Sequence, residues 1–336
     1  MEASKSERNF LGRSLENNNS EPSGGIINAA SKVTIKIALL KAHSQFIEIS
    51  SSPKLDAELL LAEALKVSRS HLFAWPEKEL SSSDAKRFNV LVEQRQNGQP
   101  VAYLLGLQEF WSQSLSVGQG VLIPRADTEV LVEVALELGS ALDLTLNTNS
   151  DSGYDSGSGC DSGSDVVRSL CVADLGTGSG AVACALASEQ PLWRLWAVDQ
   201  SEQALDYAQR NVDALDLTNV TVLASSWFSA LQGKRFDLLV SNPPYIAAGD
   251  HHLQAGDVRF EPIEALASGD DGLDDIRSIV EQAPAYLSNS GWLVLEHGYD
   301  QVASVAELLR ARGFIDVAHR RDLAGHQRVS YGRWCG

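Results

Sequence analysis

The order of apolar and polar positions divides the chain into a helical part and a later part where strands and helices alternate. Across residues 33–98 apolar residues recur at helical spacing, as Leu55, Leu59 and Leu65 do. Beyond residue 166, short β-rich runs alternate with helical stretches. The predicted strands are 169–174, 193–199, 220–224, 236–241 and 292–296, and the predicted helices are 179–188, 201–215, 274–286 and 300–310. This alternation predicts an α/β domain whose parallel sheet binds ligands at the carboxyl ends of its strands.

Polar and low-complexity stretches suggest the domain boundaries. Residues 1–31 are rich in Asn, Ser, Glu and Gly and predict a disordered tail. Residues 32–100 predict a small helical domain, 101–127 a hairpin connector, and 128–336 the α/β domain, which opens with a helix from Thr128 to Leu138. Asp-Ser-Gly recurs three times within a low-complexity insertion at about 141–165, which we interpret as a solvated linker. A calcium-binding repeat is the alternative, although such repeats are more regular and longer.

Composition narrows the possible classes of function. The chain has 336 residues and a formal net charge of −17, which argues against a broad electrostatic grip on nucleic acid because that grip needs Lys and Arg. No apolar run approaches the roughly 18 residues of a membrane span, and the first residues lack the apolar core of a signal peptide. We therefore expect a cytoplasmic protein. The Cys and His residues show no metal-ligand spacing, so we expect no metal site.

A glycine-rich loop follows the first predicted strand and opens a helix. Its residues are Gly176, Thr177, Gly178, Ser179 and Gly180. Glycine allows the backbone to turn sharply and approach a ligand, while the helix start supplies free N–H groups. Turn formation alone is the alternative. Asp199 ends the next strand, 19 positions after Gly180, where a nucleotide-binding fold places the acid that binds ribose hydroxyls, although it also precedes a helix as a cap would. The loop and the acid together favour an adenosyl ligand.

The fourth predicted strand delivers Asn242-Pro243-Pro244-Tyr245 to the same edge of the sheet. The two prolines have no N–H, so the backbone here offers carbonyl acceptors without competing donors. Asn242 adds a side-chain carbonyl and Tyr245 a flat face. This combination suits a planar –NH2 group on an sp² carbon, whose two protons need two acceptors. A proline-rich turn after a buried strand is the alternative.

Taken together, these motifs resemble those of the HemK/PrmC family of release factor glutamine methyltransferases, which are class I S-adenosylmethionine-dependent enzymes. The resemblance covers residues 33–334 apart from the insertion. Besides the glycine loop, Asp199 and Asn242-Pro-Pro-Tyr245, it rests on Gln99-Pro-Val-Ala-Tyr-Leu-Leu-Gly106, Glu109-Phe-Trp111, Leu122-Ile-Pro-Arg-Ala-Asp-Thr-Glu129, Ser226-Trp-Phe-Ser-Ala-Leu231, Gly256-Asp-Val-Arg-Phe-Glu-Pro262 and Leu295-Glu-His-Gly298. Two positions depart from the family pattern: Ser226 replaces an acid expected near the adenine, and Ala126 replaces a proline.

The resemblance implies a Rossmann-like, seven-stranded, mostly parallel sheet with a small N-terminal helical domain that helps to hold the substrate. It also implies an enzyme that methylates the side-chain nitrogen (N5) of the Gly-Gly-Gln glutamine in bacterial class I peptide chain release factors, leaving S-adenosylhomocysteine. The implied cofactor site is residues 176–180, Asp199, Trp227 and Asn242. The implied substrate site is Asn242, Pro243, Pro244 and Tyr245, of which Asn242, Pro243 and Tyr245 are expected to be catalytic.

Other functions and other site residues stay open. A sister enzyme methylates a glutamine of a ribosomal protein, and adenine-N6 methyltransferases acting on DNA or RNA share the Asn-Pro-Pro-Tyr motif. The net charge and the lack of a basic recognition segment count against the nucleic-acid reading. Arg125, Asp127 and Glu129 either contact the ligands or form structural ion pairs. The long segment 246–275, with Arg259 and Glu261, is expected to form part of the peptide cleft.

Overall fold

The computed structural model describes residues 33–148 and 169–336; the predicted tail and most of the Asp-Ser-Gly insertion lie outside this range. Five helices make the N-terminal bundle: α1 Ile35–Phe46, α2 Pro53–Leu65, α3 Arg69–Ala74, α4 Ser82–Gln96 and α5 Val101–Leu105. Local chemistry sets their ends, since Ser81 caps α4 by accepting the Asp84 N–H and Pro53 occupies the first turn of α2. In the described part of the chain, no helix is both long and apolar enough to span a membrane.

The second domain is a seven-stranded sheet preceded by a hairpin. The hairpin pairs β1 Leu107–Phe110 with β2 Gln113–Ser116. The sheet has the order β5-β4-β3-β6-β7-β9-β8, parallel except where β9 pairs with β7 and β8. Its strands are β3 Cys171–Leu175, β4 Arg194–Asp199, β5 Val220–Ala224, β6 Phe236–Ser241, β7 Leu287–Glu296, β8 Ile315–Arg321 and β9 Gln327–Arg333. The helices are α6 Glu129–Thr148, α7 Ala181–Glu189, α8 Glu202–Ala214, α9 Asp274–Gln282 and α10 Val302–Arg312. The α/β sheet predicted from the alternation is confirmed.

The strand order creates one switch point in the sheet. From β3 the chain runs outward through β4 and β5, and then returns to place β6 on the other side of β3. The loops after β3 and β6 therefore leave the same edge in opposite directions and open a crevice between them. Both motifs singled out in the sequence, the glycine loop and Asn242-Pro-Pro-Tyr245, follow these two strands.

The first helix of this domain is longer than predicted. It runs to Thr148 rather than Leu138, so residues 141–148, which we assigned to the insertion, are helical. Gly139, which follows the predicted end of the helix, lies inside it and serves packing: a Cβ there would lie 2.1 Å from the buried ring of Trp193. The indole N–H of Trp193 donates to Asp143 one turn later, at 2.9 Å. A glycine required by a neighbouring ring looks, in the sequence, like a helix stop.

A buried arginine and its neighbours join the bundle to the sheet domain. Arg95 of α4 donates to Asp56 within the bundle, at 2.9 Å, and to Asp257 of the segment between β6 and α9, at 2.7 Å. Its side chain is only 4% exposed. Nearby, Arg259 donates to the Asn97 carbonyl at 3.3 Å. The segment after β6 thus contacts both domains, and the Arg125–Glu261 ion pair fixes it to the connector.

Candidate active site

A cavity of about 400 Å³ opens at the switch point between β3 and β6. Its floor is the glycine loop and the end of β4, and its far side is the end of β6. Two further walls are residues 120–124 of the connector and residues 262–265, which lie in the segment 246–275 that was expected to form part of the cleft. The residues of the predicted sites that line it are Gly176, Thr177, Gly178, Ser179, Asp199, Trp227, Asn242 and Pro244.

Left-handed backbone shapes the glycine loop. Gly176, Gly178 and Gly180 all have positive φ, at +71°, +58° and +81°. A Cβ on Gly178 would meet nothing closer than 3.9 Å and would project beside Val121 of the cavity wall, whereas a Cβ on Gly180 would press on the backbone of Ala208 at 3.2 Å. Gly178 therefore keeps space for a ligand, while Gly180, which is not among the cavity-lining residues, lets helix α8 approach.

Asp199 organises the loop as well as the cavity. Its Oδ2 accepts the Gly178 N–H and its Oδ1 accepts the Ser201 N–H, both at 2.9 Å. Burial raises the pKa of Asp199, and these backbone donors oppose the rise. Each carboxylate oxygen can accept a further hydrogen bond, so the side chain retains acceptor capacity towards the cavity. This is the chemistry that a ribose diol requires.

Asp174, at the end of β3, also lines the cavity although the sequence analysis did not assign it a role. Its Oδ2 accepts the Thr177 hydroxyl at 2.6 Å and the Ala183 N–H at 3.2 Å. Burial raises its pKa to about 7, with these donors opposing the rise. Asp174 is visible in the sequence as the first residue of the glycine motif, but the sequence does not show that its side chain is completely buried.

Trp227 stands at the adenine end of the predicted cofactor site. It adopts a positive φ of 48°, and a Cβ on Gly176 would lie 3.2 Å from its ring. Its backbone carbonyl accepts the Ser225 hydroxyl at 2.8 Å, and Ser225 lines the cavity. Ser226, which replaces the family's acid, is exposed and is not among the lining residues.

Asn242 faces the cavity with its amide held from behind. Its Nδ2 donates to the Thr128 hydroxyl at 3.1 Å, which leaves Oδ1 free. Pro244 lines the cavity, whereas Pro243 is buried beneath it. The hydroxyl of Tyr245 points inward and donates to Oε1 of Glu296 at 3.2 Å, and burial raises the pKa of Tyr245. The structure thus brings Asn242 and Pro244 to the cavity, with Pro243 and Tyr245 behind them.

The charged candidates of the connector form structural pairs. Glu261 is buried; its Oε2 accepts the Ile123 N–H at 3.0 Å, and its Oε1 pairs with Arg125. Asp127 pairs with Arg328 at 3.2 Å, and Glu129 accepts the Trp111 N–H at 2.9 Å. Glu261 therefore joins the two cavity walls that residues 120–124 and 262–265 form.

One cluster of residue types that can bind metal occurs in the described ranges. Asp250, His251 and His252 hold their ligand atoms within 4.8 Å of one another on the protein surface. None of the three lines the cavity.

Both domains match known family models. The model for the PrmC N-terminal domain matches residues 38–106, and the model for the Methyltransferase small domain matches residues 149–261. The release factor glutamine methyltransferase of Pseudomonas aeruginosa is 51% identical over 285 residues, covering 85% of this chain and 94% of that protein. The chain belongs to the release factor glutamine methyltransferase family. The Escherichia coli release factor glutamine methyltransferase is 40% identical over 297 residues, covering 88% of this chain and 97% of the relative.

For a release factor glutamine methyltransferase, S-adenosylmethionine is the cofactor, and the residues of this cavity fit it. The loop offers a glycine whose missing side chain leaves space, Asp199 offers acceptors to hydroxyls, and Trp227 offers an aromatic face. The class I methyltransferase fold expected from the resemblance is confirmed by the sheet order and by the family models.

Proposed function

We propose that this enzyme transfers a methyl group from S-adenosylmethionine to the side-chain amide nitrogen (N5) of a glutamine in peptide chain release factors, the glutamine of their Gly-Gly-Gln motif. The observation that carries the proposal is the orientation of Asn242. Asn242 lines a cavity whose opposite side is the cofactor loop, and its Nδ2 donates to Thr128. Its carbonyl oxygen is therefore left to accept a hydrogen bond from the –NH2 of a substrate amide. The names of the relatives support the choice of substrate protein.

The chemistry follows from the acceptors at the end of β6. A glutamine amide is a weak nucleophile because its nitrogen lone pair is conjugated with the carbonyl. Asn242 Oδ1 and the Pro243 carbonyl would accept the two N–H groups and hold the nitrogen in a fixed position, favouring its pyramidal form. Bound S-adenosylmethionine supplies an electrophilic methyl group. Fixed orientation supplies much of the rate, and the same oxygens stabilise positive charge that develops on nitrogen.

No general base needs to be tuned in advance for this reaction. The nitrogen that accepts the methyl group becomes a strong acid, so its proton leaves readily to water. The residues around Asn242 accordingly serve geometry and charge stabilisation rather than proton abstraction.

The N-terminal bundle is proposed to dock the release factor. It exposes several large apolar side chains, among them Leu40, Phe73 and Trp75, which are 62%, 56% and 60% exposed. Large exposed apolar side chains supply the area that a protein partner would bury. Because release factors work on ribosomes, we propose that the enzyme acts in the cytoplasm.

The test is methylation with labelled S-adenosylmethionine of three purified substrates: a release factor, a large-subunit ribosomal protein and DNA. We expect label in the release factor, mapped by mass spectrometry to the Gly-Gly-Gln glutamine. Label in a ribosomal-protein glutamine would show that the substrate protein is a different one, and label in adenine would show that the reaction class is a different one. Neither alternative has a specific feature of the cavity in its favour.

A further inference from the structure

A chain of polar groups runs from the cavity into the protein interior. Asn242 Nδ2 donates to Thr128 Oγ1 at 3.1 Å, the Thr128 hydroxyl faces the carboxyl of Glu296, and Tyr245 donates to Glu296 Oε1 at 3.2 Å. Glu296, the last residue of β7, is 1% exposed. Its second oxygen, Oε2, is buried and has no hydrogen-bond partner among the described residues. A buried carboxyl oxygen without a hydrogen-bond partner costs stability, so its presence calls for an explanation.

The directions of these hydrogen bonds depend on one another. A threonine hydroxyl has one proton to donate, and an ionised carboxylate can only accept. While Glu296 is ionised, Thr128 donates to it and offers a lone pair to Asn242. The Asn242 amide then points its –NH2 at Thr128 and its Oδ1 at the cavity, as observed. A carboxylic acid at 296 could donate to Thr128 instead, which would free the hydroxyl to donate to Oδ1 and turn the amide over.

We propose that Glu296 is a positioning residue that acts through the Thr128 hydroxyl to fix the Asn242 amide with its carbonyl oxygen towards the substrate. The inference rests on the proposed function, because a flipped amide would present a donor to the donor –NH2 of the glutamine. The two orientations of the Asn242 amide, which exchange Oδ1 and Nδ2, have nearly the same shape, so packing alone does not choose between them. The polarity of the hydrogen-bond chain does.

The surroundings of Glu296 make this arrangement sensitive to pH near neutrality. The pKa of Glu296 is raised to about 7: burial is the main cause and Asp127 adds to it, while Thr128, Arg328 and Tyr245 oppose the rise. The titratable and charged groups that face it are Tyr245, Asp127, Arg328 and the adjacent His297. His297 is uncharged at this pH because burial lowers its pKa, and its Nε2 pairs with the Ser330 hydroxyl at 2.7 Å. Glu296 thus loses its charge as the pH falls through about 7, and we expect kcat to fall with it.

The test measures kcat for release factor methylation from pH 5.5 to 8.5 at saturating cofactor. The variants are Glu296→Gln, Thr128→Val and the conservative Thr128→Ser. At pH 8 we expect Glu296→Gln and Thr128→Val each to lower kcat about 10- to 100-fold, the usual cost of misplacing a reacting group. Thr128→Ser should restore most of the rate. Glu296→Gln should also lose the acidic limb of the wild-type profile, and the double variant should be no slower than the slower single one, because both act through one chain.

Controls separate positioning from folding and from the choice of substrate. Glu137→Gln neutralises an exposed glutamate that pairs with Arg320 outside the cavity and should keep the wild-type kcat. Cofactor binding should be near normal for every variant, and each should unfold in a single cooperative transition above the assay temperature. The inference is overturned if Glu296→Gln keeps the wild-type kcat and acidic limb, or if Thr128→Ser is as slow as Thr128→Val. A wild-type enzyme that labels no glutamine would instead overturn the proposed function.

Discussion

The two halves of the cavity are built in different ways. The cofactor half, residues 176–180 with Asp199 and Trp227, is mostly backbone held in positive φ, and Asp199 fixes it by accepting the Gly178 N–H. The substrate half, residues 242–245 with Thr128 and Glu296, is a chain of side chains contributed by three distant segments. The cofactor half is thus shaped mainly by backbone conformation and the substrate half by contacts between side chains. We therefore expect substitutions in the two halves to separate binding from turnover.

The largest effect should come from Asn242→Ala. The change removes the acceptor aimed at the substrate amide but leaves the cofactor loop intact, so kcat should fall about a thousandfold, as for loss of an electrostatic contact to the transition state. The dissociation constant for S-adenosylmethionine, measured by calorimetry, should stay near the wild-type value. A kcat within a fewfold of wild type would show that the substrate half lies elsewhere.

Asp199→Ala should give the opposite pattern. It removes the acceptor offered to the ribose and two hydrogen bonds that hold the loop. We expect the dissociation constant for the cofactor to rise about 10- to 100-fold, the value of a hydrogen bond to a charged group. At saturating cofactor kcat should stay within a fewfold of wild type. A large loss of kcat with unchanged cofactor binding would contradict the division into halves.

Each half contains one buried acid with a pKa raised to about 7, Asp174 and Glu296, and both should make stability fall as pH rises. The folded protein holds the Asp174 proton up to about pH 7, while the unfolded chain releases it near 3.8, so stability is full below that value and is lost towards pH 7. Asp174→Asn removes this loss. Relative to wild type, it should gain about 2 kcal/mol in the free energy of unfolding between pH 5 and pH 8, measured by urea denaturation without cofactor.

A constant difference between Asp174→Asn and wild type across that range would mean that Asp174 stays ionised in the folded protein. Comparison with Glu296→Gln sharpens the test, because both variants should show the same sign on stability while only Glu296→Gln alters the pH dependence of kcat.

The smallest effect should come from Tyr245→Phe. The ring remains in the core and only the hydroxyl that donates to Glu296 is lost. Because this hydrogen bond lowers the pKa of Glu296, its removal should shift the acidic limb of kcat to higher pH. At pH 7 we expect a loss of about fivefold, the typical net value of one hydrogen bond. An unshifted limb would separate Tyr245 from the chain.

The sequence predicted the cofactor half better than the substrate half for a physical reason. Strands β5 and β6 have the predicted bounds, and the loop, Asp199 and Asn242 all lie at the expected edge, because apolar strand patterns and glycine spacing are local signals. Glu296 was visible only as part of a family motif. Its partner Thr128 lies in another element, and no spacing reveals which two side chains meet across a sheet.

The same reasoning explains the other differences. Strands β8 and β9 were not found from the residue pattern, since their faces mix charged and apolar positions at the sheet's edge; only the family resemblance implied seven strands. The residues 120–124 and 262–265 that wall the cavity are irregular, so no periodicity marks them.

The short stretch that joins the two domains has a mechanical consequence. Asp257 is held by Arg95 of the bundle, and Glu261, four residues later, holds the connector that walls the cavity. A rotation of the bundle against the sheet must therefore either break the Arg95–Asp257 ion pair or move the rim of the cavity with it. A partner protein that moves the bundle would also move the wall of the cavity.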